Sequence, residues 1–191
     1  MFLSRGDVTA AILAGGAARR MGGIDKGLVE LAGRALVAWT VEAMAAQAGT
    51  ILVVANRNAE RYAGYGRVIA DRIAGYAGPL EGIRSALCAV TTPWLLTVPV
   101  DCPRPGADLC ERLFDGLAGG DTAATATNGA QREPLFALYR VDTWRDLPAP
   151  ASDLPVWRWQ DDGGARLVDF ADSAARFTNL NTPEDLARFE D

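Results

Sequence analysis

Residues 13–27, L-A-G-G-A-A-R-R-M-G-G-I-D-K-G, gather the groups of this chain suited to anion chemistry: Gly15 and Gly16, the adjacent Arg19 and Arg20, and Lys26. Lys26 is the only lysine, and the other 18 of the 19 basic side chains are arginine. In a chain so biased toward arginine, a single ammonium points to a tight anionic site where a compact charge fits and a planar fork does not. The glycines let backbone N–H groups turn inward and approach a ligand closely. An apolar run over 8–13 feeds straight into this loop and reads as a buried strand. Strand, Gly-rich basic loop and helix in succession form the layout of a phosphate site, so the chemistry expected is the handling of a nucleotide. Two carboxylates join this set. Asp71 and Asp101 each follow an apolar run, 68–70 and 94–100. Asp71 either holds a ligand or caps the loop after it. Asp101 either binds a hard cation or caps the loop before Pro103.

What the chain lacks narrows the chemistry further. It contains no histidine, which removes Ser-His-Asp and Cys-His nucleophile systems, a histidine general base, and His-rich zinc or iron sites. Cys88, Cys102 and Cys110 have no metal-ligand spacing and are expected to serve packing. Any metal is then a hard cation on carboxylate, phosphate and water oxygens, which points to Mg²⁺. Neither G-x-x-x-x-G-K-[ST] nor G-x-G-x-x-G occurs, so two common phosphate loops are excluded.

The elements that must position these residues alternate as in an α/β sheet protein. After the first strand, 36–47 reads as a helix with Val37, Val41 and Met44 on one face and Gly49 as its stop. Strands are expected over 51–55, 68–70, 94–100, 122–127 and 167–170, and helices over 80–90 and 108–117. Asn128-Gly129 is a strong turn signal, which lets 133–139 return as an antiparallel strand. Residues 75–79 and 147–150 read as a turn and a loop. Thr182 is an N-cap with Pro183 at the first helical position. The Gly loop, Asp71 and Asp101 then all lie at C-terminal strand ends, the edge where open α/β sheets bind ligands. At 191 residues the chain is expected to form one domain, a three-layer, mostly parallel sandwich with one antiparallel strand. A net charge of −5 argues against nucleic acid as a partner. No apolar stretch is of membrane-spanning length and no signal-peptide h-region is present, so a cytoplasmic protein away from membranes is expected.

Several short pieces, in order over most of the chain, carry a family resemblance. They are Leu13-Ala14-Gly15-Gly16, Arg20-Met21-Gly22-Gly23, Asp25-Lys26-Gly27-Leu28, Ala55-Asn56-Arg57, Gly78-Pro79-Leu80, Pro99-Val100-Asp101-Cys102-Pro103 and Asn179-Leu180-Asn181-Thr182-Pro183. Together they resemble the molybdenum cofactor guanylyltransferase (MobA) family of nucleotidyltransferases. The resemblance implies a nucleotide-binding α/β sandwich that moves GMP from GTP to the terminal phosphate of molybdopterin, with Mg²⁺ as cofactor. It implies that Leu13, Ala14 and Gly15 contact the guanine and that Lys26 meets the triphosphate. It further implies that Asp71 helps hold the nucleotide and that Asp101 binds the metal. Gly16, Arg19, Arg20, Asn56 and Gly78 are carried over to the nucleotide side, with Arg20, Lys26 and Asp101 as the catalytic set. Asn179 and Asn181 fall toward the pterin, or else shape the turn before Thr182. Val54 departs from the family, which often has Asn two places before the Asn-Arg pair. Trp157-Arg158-Trp159 either grips a flat anionic pterin or places one tryptophan in the core. Partners implied are molybdoenzymes or cofactor-delivery proteins. A relative with another base or acceptor, such as a cytidylyltransferase or sugar-phosphate nucleotidyltransferase, and a non-catalytic nucleotide-binding delivery protein are the competing readings. Gly15 and the 179–183 segment favour the guanylyl branch.

Overall fold

The computed structural model describes residues 3–15, 24–73, 78–148 and 154–190. Nine strands form among the described residues: β1 (Val8–Leu13), β2 (Glu30–Leu31), β3 (Arg34–Ala35), β4 (Thr50–Val54), β5 (Arg67–Ile69), β6 (Trp94–Pro99), β7 (Ala123–Thr127), β8 (Arg132–Arg140) and β9 (Arg166–Asp169). The helices are α1 (Leu36–Ala45), α2 (Ala59–Tyr62), α3 (Pro79–Ala89), α4 (Leu109–Asp115), α5 (Val141–Trp144), α6 (Val156–Asp162) and α7 (Pro183–Glu190). Seven strands make one sheet in the order β5-β4-β1-β6-β8-β7-β9, and β2 pairs with β3 in a separate hairpin. All the strands of the large sheet run parallel except β8, which is antiparallel to both β6 and β7.

Alternating side chains of the strands face two apolar layers, as the pleat requires. Val8, Ala10 and Ile12 of β1 join Val37 and Met44 of α1 and Leu109 and Leu113 of α4 on one face. Ala11 of β1 meets Leu80, Ile83 and Leu87 of α3, Trp144 of α5 and Trp159 of α6 on the other. This is the expected three-layer sandwich. Its main elements match the sequence reading to within a few residues, and Gly129 takes a positive φ of 88° at the expected turn. The β2–β3 hairpin and the short α2, α5 and α6 carry too few periodic residues to be legible beforehand. Cys102 and Cys110 are buried as expected, and burial pushes each thiol up to about 12. Cys88 corrects the expectation of packing: it is exposed, and its Sγ accepts from Arg72 Nη1 at 3.1 Å. Residue 88 lies near the end of α3, where the solvent side of the helix offers nothing to pack against.

Strand order reverses between β1 and β6. From β1 the chain moves outward through β4 and β5, then returns through α3 to β6 on the other side. The loops leaving β1 and β6 therefore diverge, opening a crevice over their C-terminal ends. Leu13 and Pro99 are direct partners there, and Val100 N–H still donates to Leu13 O at 3.2 Å.

Candidate active site at the strand-end rim

Ala14 and Gly15 leave β1 at the crevice. Ala14 N–H donates to Val54 O at 2.9 Å, which holds the start of the loop against β4. A Cβ at Gly15 would stand 3.3 Å from Asn56 Nδ2, so glycine keeps the backbone open beside that amide. Val54 is buried in the α3 layer and so offers the rim only this carbonyl. Gly16, Arg19 and Arg20 lie outside the described residues, as do 75–77 of the expected turn over 75–79 and 149–150 of the loop over 147–150.

Lys26 opens a 3₁₀ turn, Lys26–Leu28. Its position is set by Asp25, which is only 8% exposed. Asp25 Oδ1 accepts from the Tyr62 hydroxyl at 2.5 Å, and Oδ2 accepts from Asn58 Nδ2 at 2.8 Å with Arg57 Nε at 3.5 Å. Asp25 thus orients the turn. Tyr62 is fully buried, and together burial and the bond to Asp25 hold its hydroxyl well above its usual range. Gly27 completes the fit: a Cβ there would run into the Tyr62 hydroxyl and stand 2.9 Å from Val100 Cγ2. The loop that carries the lysine is wedged between α2 and the end of β6.

The Lys26 ammonium lies over the switch point. It donates to Asp101 Oδ2 at 2.7 Å and also to Asn181 Oδ1. The two partners of this ion pair are 24% and 19% exposed at their side chains, so it faces the crevice without being sealed. Asn181 reaches it because Leu180 is anchored. Leu180 is buried against Leu31 and Leu36, and its N–H donates to Asp101 O at 2.9 Å. Beyond it, Asp185 Oδ2 accepts from the Asn181 and Thr182 N–H groups at 2.8 and 2.9 Å. Thr182 Oγ1 takes the Asp185 N–H at 3.1 Å, so Thr182 is the N-cap of α7 as expected. Asn179 is exposed. The segment that the resemblance sends toward the pterin therefore has one asparagine on the same ammonium that the resemblance sends to the triphosphate.

On the far side of the rim, Asn56 and Asp71 grip each other. Asn56 Nδ2 donates to Asp71 Oδ2 at 2.6 Å, and Asp71 N–H donates to Asn56 Oδ1 at 2.8 Å. Asp71 Oδ1 is buried and accepts no hydrogen bond among the described residues. Burial raises the Asp71 carboxyl; the Asn56 bond opposes this, and the charge of Glu81 adds to it. Gly78, with φ of 89°, turns the chain into α3 with Pro79 at its first position. Trp159 is buried in the core, while Trp157 is 44% exposed and lies near Arg132, whose Cζ is 6.0 Å from its ring centroid. Sequence reasoning missed the hold of Tyr62 and Asn58 on Asp25, because neither residue has a local motif. An aspartate preceding the sole lysine was the available signal.

Among the described residues no group of three or more His, Cys, Asp or Glu could hold a metal. The rim instead offers separate devices: an ammonium paired with a carboxylate over the crevice, and the Asp71 carboxylate held by the Asn56 amide that stands beside the Gly15 backbone. Among the described residues no helix is long and apolar enough to cross a membrane.

Known proteins resemble this chain in sequence and fold. Molybdenum cofactor guanylyltransferase from Shewanella putrefaciens is 40% identical over 186 residues, covering 95% of either chain. The protein of that name from Vibrio vulnificus is 38% identical over 180 residues, 93% of this chain and 92% of its own. Molybdopterin-guanine dinucleotide biosynthesis protein A from Archaeoglobus fulgidus superposes with a TM-score of 0.70 at 24% identity, over 95% of this chain and 96% of its own. A nucleotidyl transferase from Methanothermobacter gives 0.73 at 20% identity over 96% and 95%. The model of the MobA-like NTP transferase domain matches residues 10–168, from β1 into β9. This chain belongs to the MobA-like NTP transferase family.

Proposed function

We propose that the protein transfers GMP from GTP to the terminal phosphate of molybdopterin, forming molybdopterin guanine dinucleotide. A phosphate oxygen of the acceptor bonds to the α-phosphorus, the bond from that phosphorus to the β-phosphate bridge breaks, and pyrophosphate leaves. The observation that carries this reading is the Lys26 ammonium held over the β1/β6 switch point by Asp101 and Asn181, in a chain 40% identical to a molybdenum cofactor guanylyltransferase. The nucleophile is already ionised at neutral pH, so the reaction requires no general base and suits a chain without histidine. Its barrier is repulsion between anions and the charge gathering on pyrophosphate, which preorganised cations lower.

In this reading Lys26 meets the triphosphate, with Arg19 and Arg20 supplying further charge from the Gly loop. Leu13, Ala14 and Gly15 present the loop backbone to the base, with Asn56 holding the Asp71 carboxylate on that side of the rim. Gly78 keeps the α3 side open, and Gly16 is assigned to the phosphates. Asn181 and Asn179 sit where nucleotide and acceptor adjoin. The oxygens also fit Mg²⁺: Asp101 Oδ2 and Asn181 Oδ1 already converge on one cationic atom. A hard ion held by Asp101 would take its other ligands from phosphate and water and would shield the charge of the leaving pyrophosphate. The product would pass to molybdoenzymes or delivery proteins in the cytoplasm. The test compares GTP, CTP and ATP for binding with and without Mg²⁺, then assays pyrophosphate release with molybdopterin. Selective GTP binding and Mg²⁺-dependent release are expected. Preference for CTP or ATP, or binding without turnover, refutes the reading.

A further inference from the structure

Glu133 is a buried acid on the rim that the transfer chemistry leaves unused. It stands near the start of β8, beside β6 and at the sheet end that carries Asp101. The residue is 8% exposed. Its hydrogen bonds come from neutral amides, both to Oε1: Asn128 Nδ2 at 2.8 Å and Gln131 Nε2 at 3.2 Å. No cation pairs with it among the described residues, and burial raises its carboxyl above the usual range. Oε2 accepts no hydrogen bond there and is not sealed from solvent.

The adjacent turn does not require that charge. Asn128 Oδ1 already accepts from the Ala130 and Gln131 N–H groups at 3.0 and 2.9 Å, and Thr127 Oγ1 donates to Gln131 O at 2.9 Å. A neutral glutamine would close the turn equally well, whereas a buried carboxylate without a counter-ion opposes folding. Perturbed acids of this kind beside a cleft mark functional sites. Asp71, beyond β1 and β4 on the opposite flank of the Lys26–Asp101 pair, shares two of these features: one oxygen is held by an amide and the carboxyl is raised by burial. Guanine and a pterin present the same edge to such a group, a ring N–H beside a 2-amino group, and the two lone pairs of one free carboxylate oxygen can accept from it.

We propose that Glu133 reads the 2-amino and ring N–H edge of the acceptor pterin, as a specificity-determining residue opposite Asp71 across the crevice. The assignment rests on the acceptor being a pterin, as in the transfer proposed above. Glu133→Gln is the informative change: its amide oxygen keeps the bonds from Asn128 and Gln131, while its NH₂ replaces Oε2 and faces the pterin donors. Wild type and variant are titrated by fluorescence with 6-hydroxymethylpterin and with the matching lumazine, which carries a 2-oxo group in place of the 2-amino group. Wild type is expected to favour the pterin by about tenfold or more, the scale of one hydrogen bond to a charged group. E133Q should lose that preference while its GTP titration is unchanged and its melting temperature is no lower. If E133Q melts early, Glu133→Asp, which keeps the charge but retracts it, must show the same loss. Equal pterin affinity in wild type and variant, or no preference for pterin over lumazine in wild type, overturns the assignment. A wild type that shows the preference yet transfers no GMP refutes the proposed transfer and leaves Glu133 as a pterin-edge reader.

Discussion

Lys26→Arg keeps the charge and changes its shape. In the structure the ammonium contacts Asp101 Oδ2 at 2.7 Å and also Asn181 Oδ1. Arginine carries its terminal nitrogens one atom farther from the backbone, a displacement on the order of 1 Å. The backbone cannot retreat to absorb it, because Gly27 is wedged so closely that even a Cβ would stand 2.9 Å from Val100 Cγ2. The guanidinium also grips Asp101 through two parallel N–H groups, more firmly than an ammonium, and so competes with a metal on that carboxylate. Stability should barely change, because the pair is about a quarter to a fifth exposed and screened pairs contribute under about 1 kcal/mol. The rate should change greatly. A misplacement of about 1 Å is worth on the order of a hundredfold, or about 2.7 kcal/mol in the barrier. The assay is steady-state GMP transfer at saturating GTP and Mg²⁺, with Lys26→Ala alongside. Lys26→Arg is expected to fall about as far as Lys26→Ala. Retention of a third or more of the wild-type rate would mean that Lys26 supplies only diffuse charge, and the inference from a sole lysine would fail.

Tyr62→Phe removes the hydroxyl that donates to Asp25 Oδ1 at 2.5 Å. A bond to a charged group is worth about 1.5–3 kcal/mol, so melting should fall by roughly 3–12 °C and the KM for GTP should rise; an unchanged melt removes the Asp25 clamp. Asn181→Ala strips Lys26 of one oxygen partner and leaves the Asp101 pair. GTP affinity and acceptor use should both decline by roughly threefold to tenfold, the scale of one hydrogen bond; a GTP titration equal to wild type would assign Asn181 to the acceptor alone. Glu133→Gln has a pH signature in thermal melts. Because folding holds this carboxyl above its unfolded value, its contribution is fully present below that value and is lost as pH rises through the folded one. The variant should therefore melt higher than wild type near neutral pH, with the gain vanishing toward about pH 4, where both folded and unfolded Glu133 are protonated; a gain that persists in acid refutes the cause given.

The alternation of apolar runs with turn residues determined the main strands and helices, because burial in a parallel sheet demands continuous apolar segments wherever the chain folds. It also determined that the Gly loop, Asp71 and Asp101 would share one edge, since every parallel strand ends on the same side. Lys26 was legible because composition singled it out, and Thr182 because an N-cap is a local motif. Convergence was not legible. That Lys26, Asp101 and Asn181 meet depends on Leu180 packing onto the β2–β3 hairpin and α1, a contact between segments far apart in the chain. The hold of Tyr62 and Asn58 on Asp25, the mutual grip of Asn56 and Asp71, and the unpaired burial of Glu133 are likewise products of packing between elements. Exposure of Cys88 depends on which side of α3 meets the sheet. Periodicity along the chain records which residues must be buried, but a hydrogen bond across the sheet leaves no period, so only the tertiary structure decides which polar groups face one another.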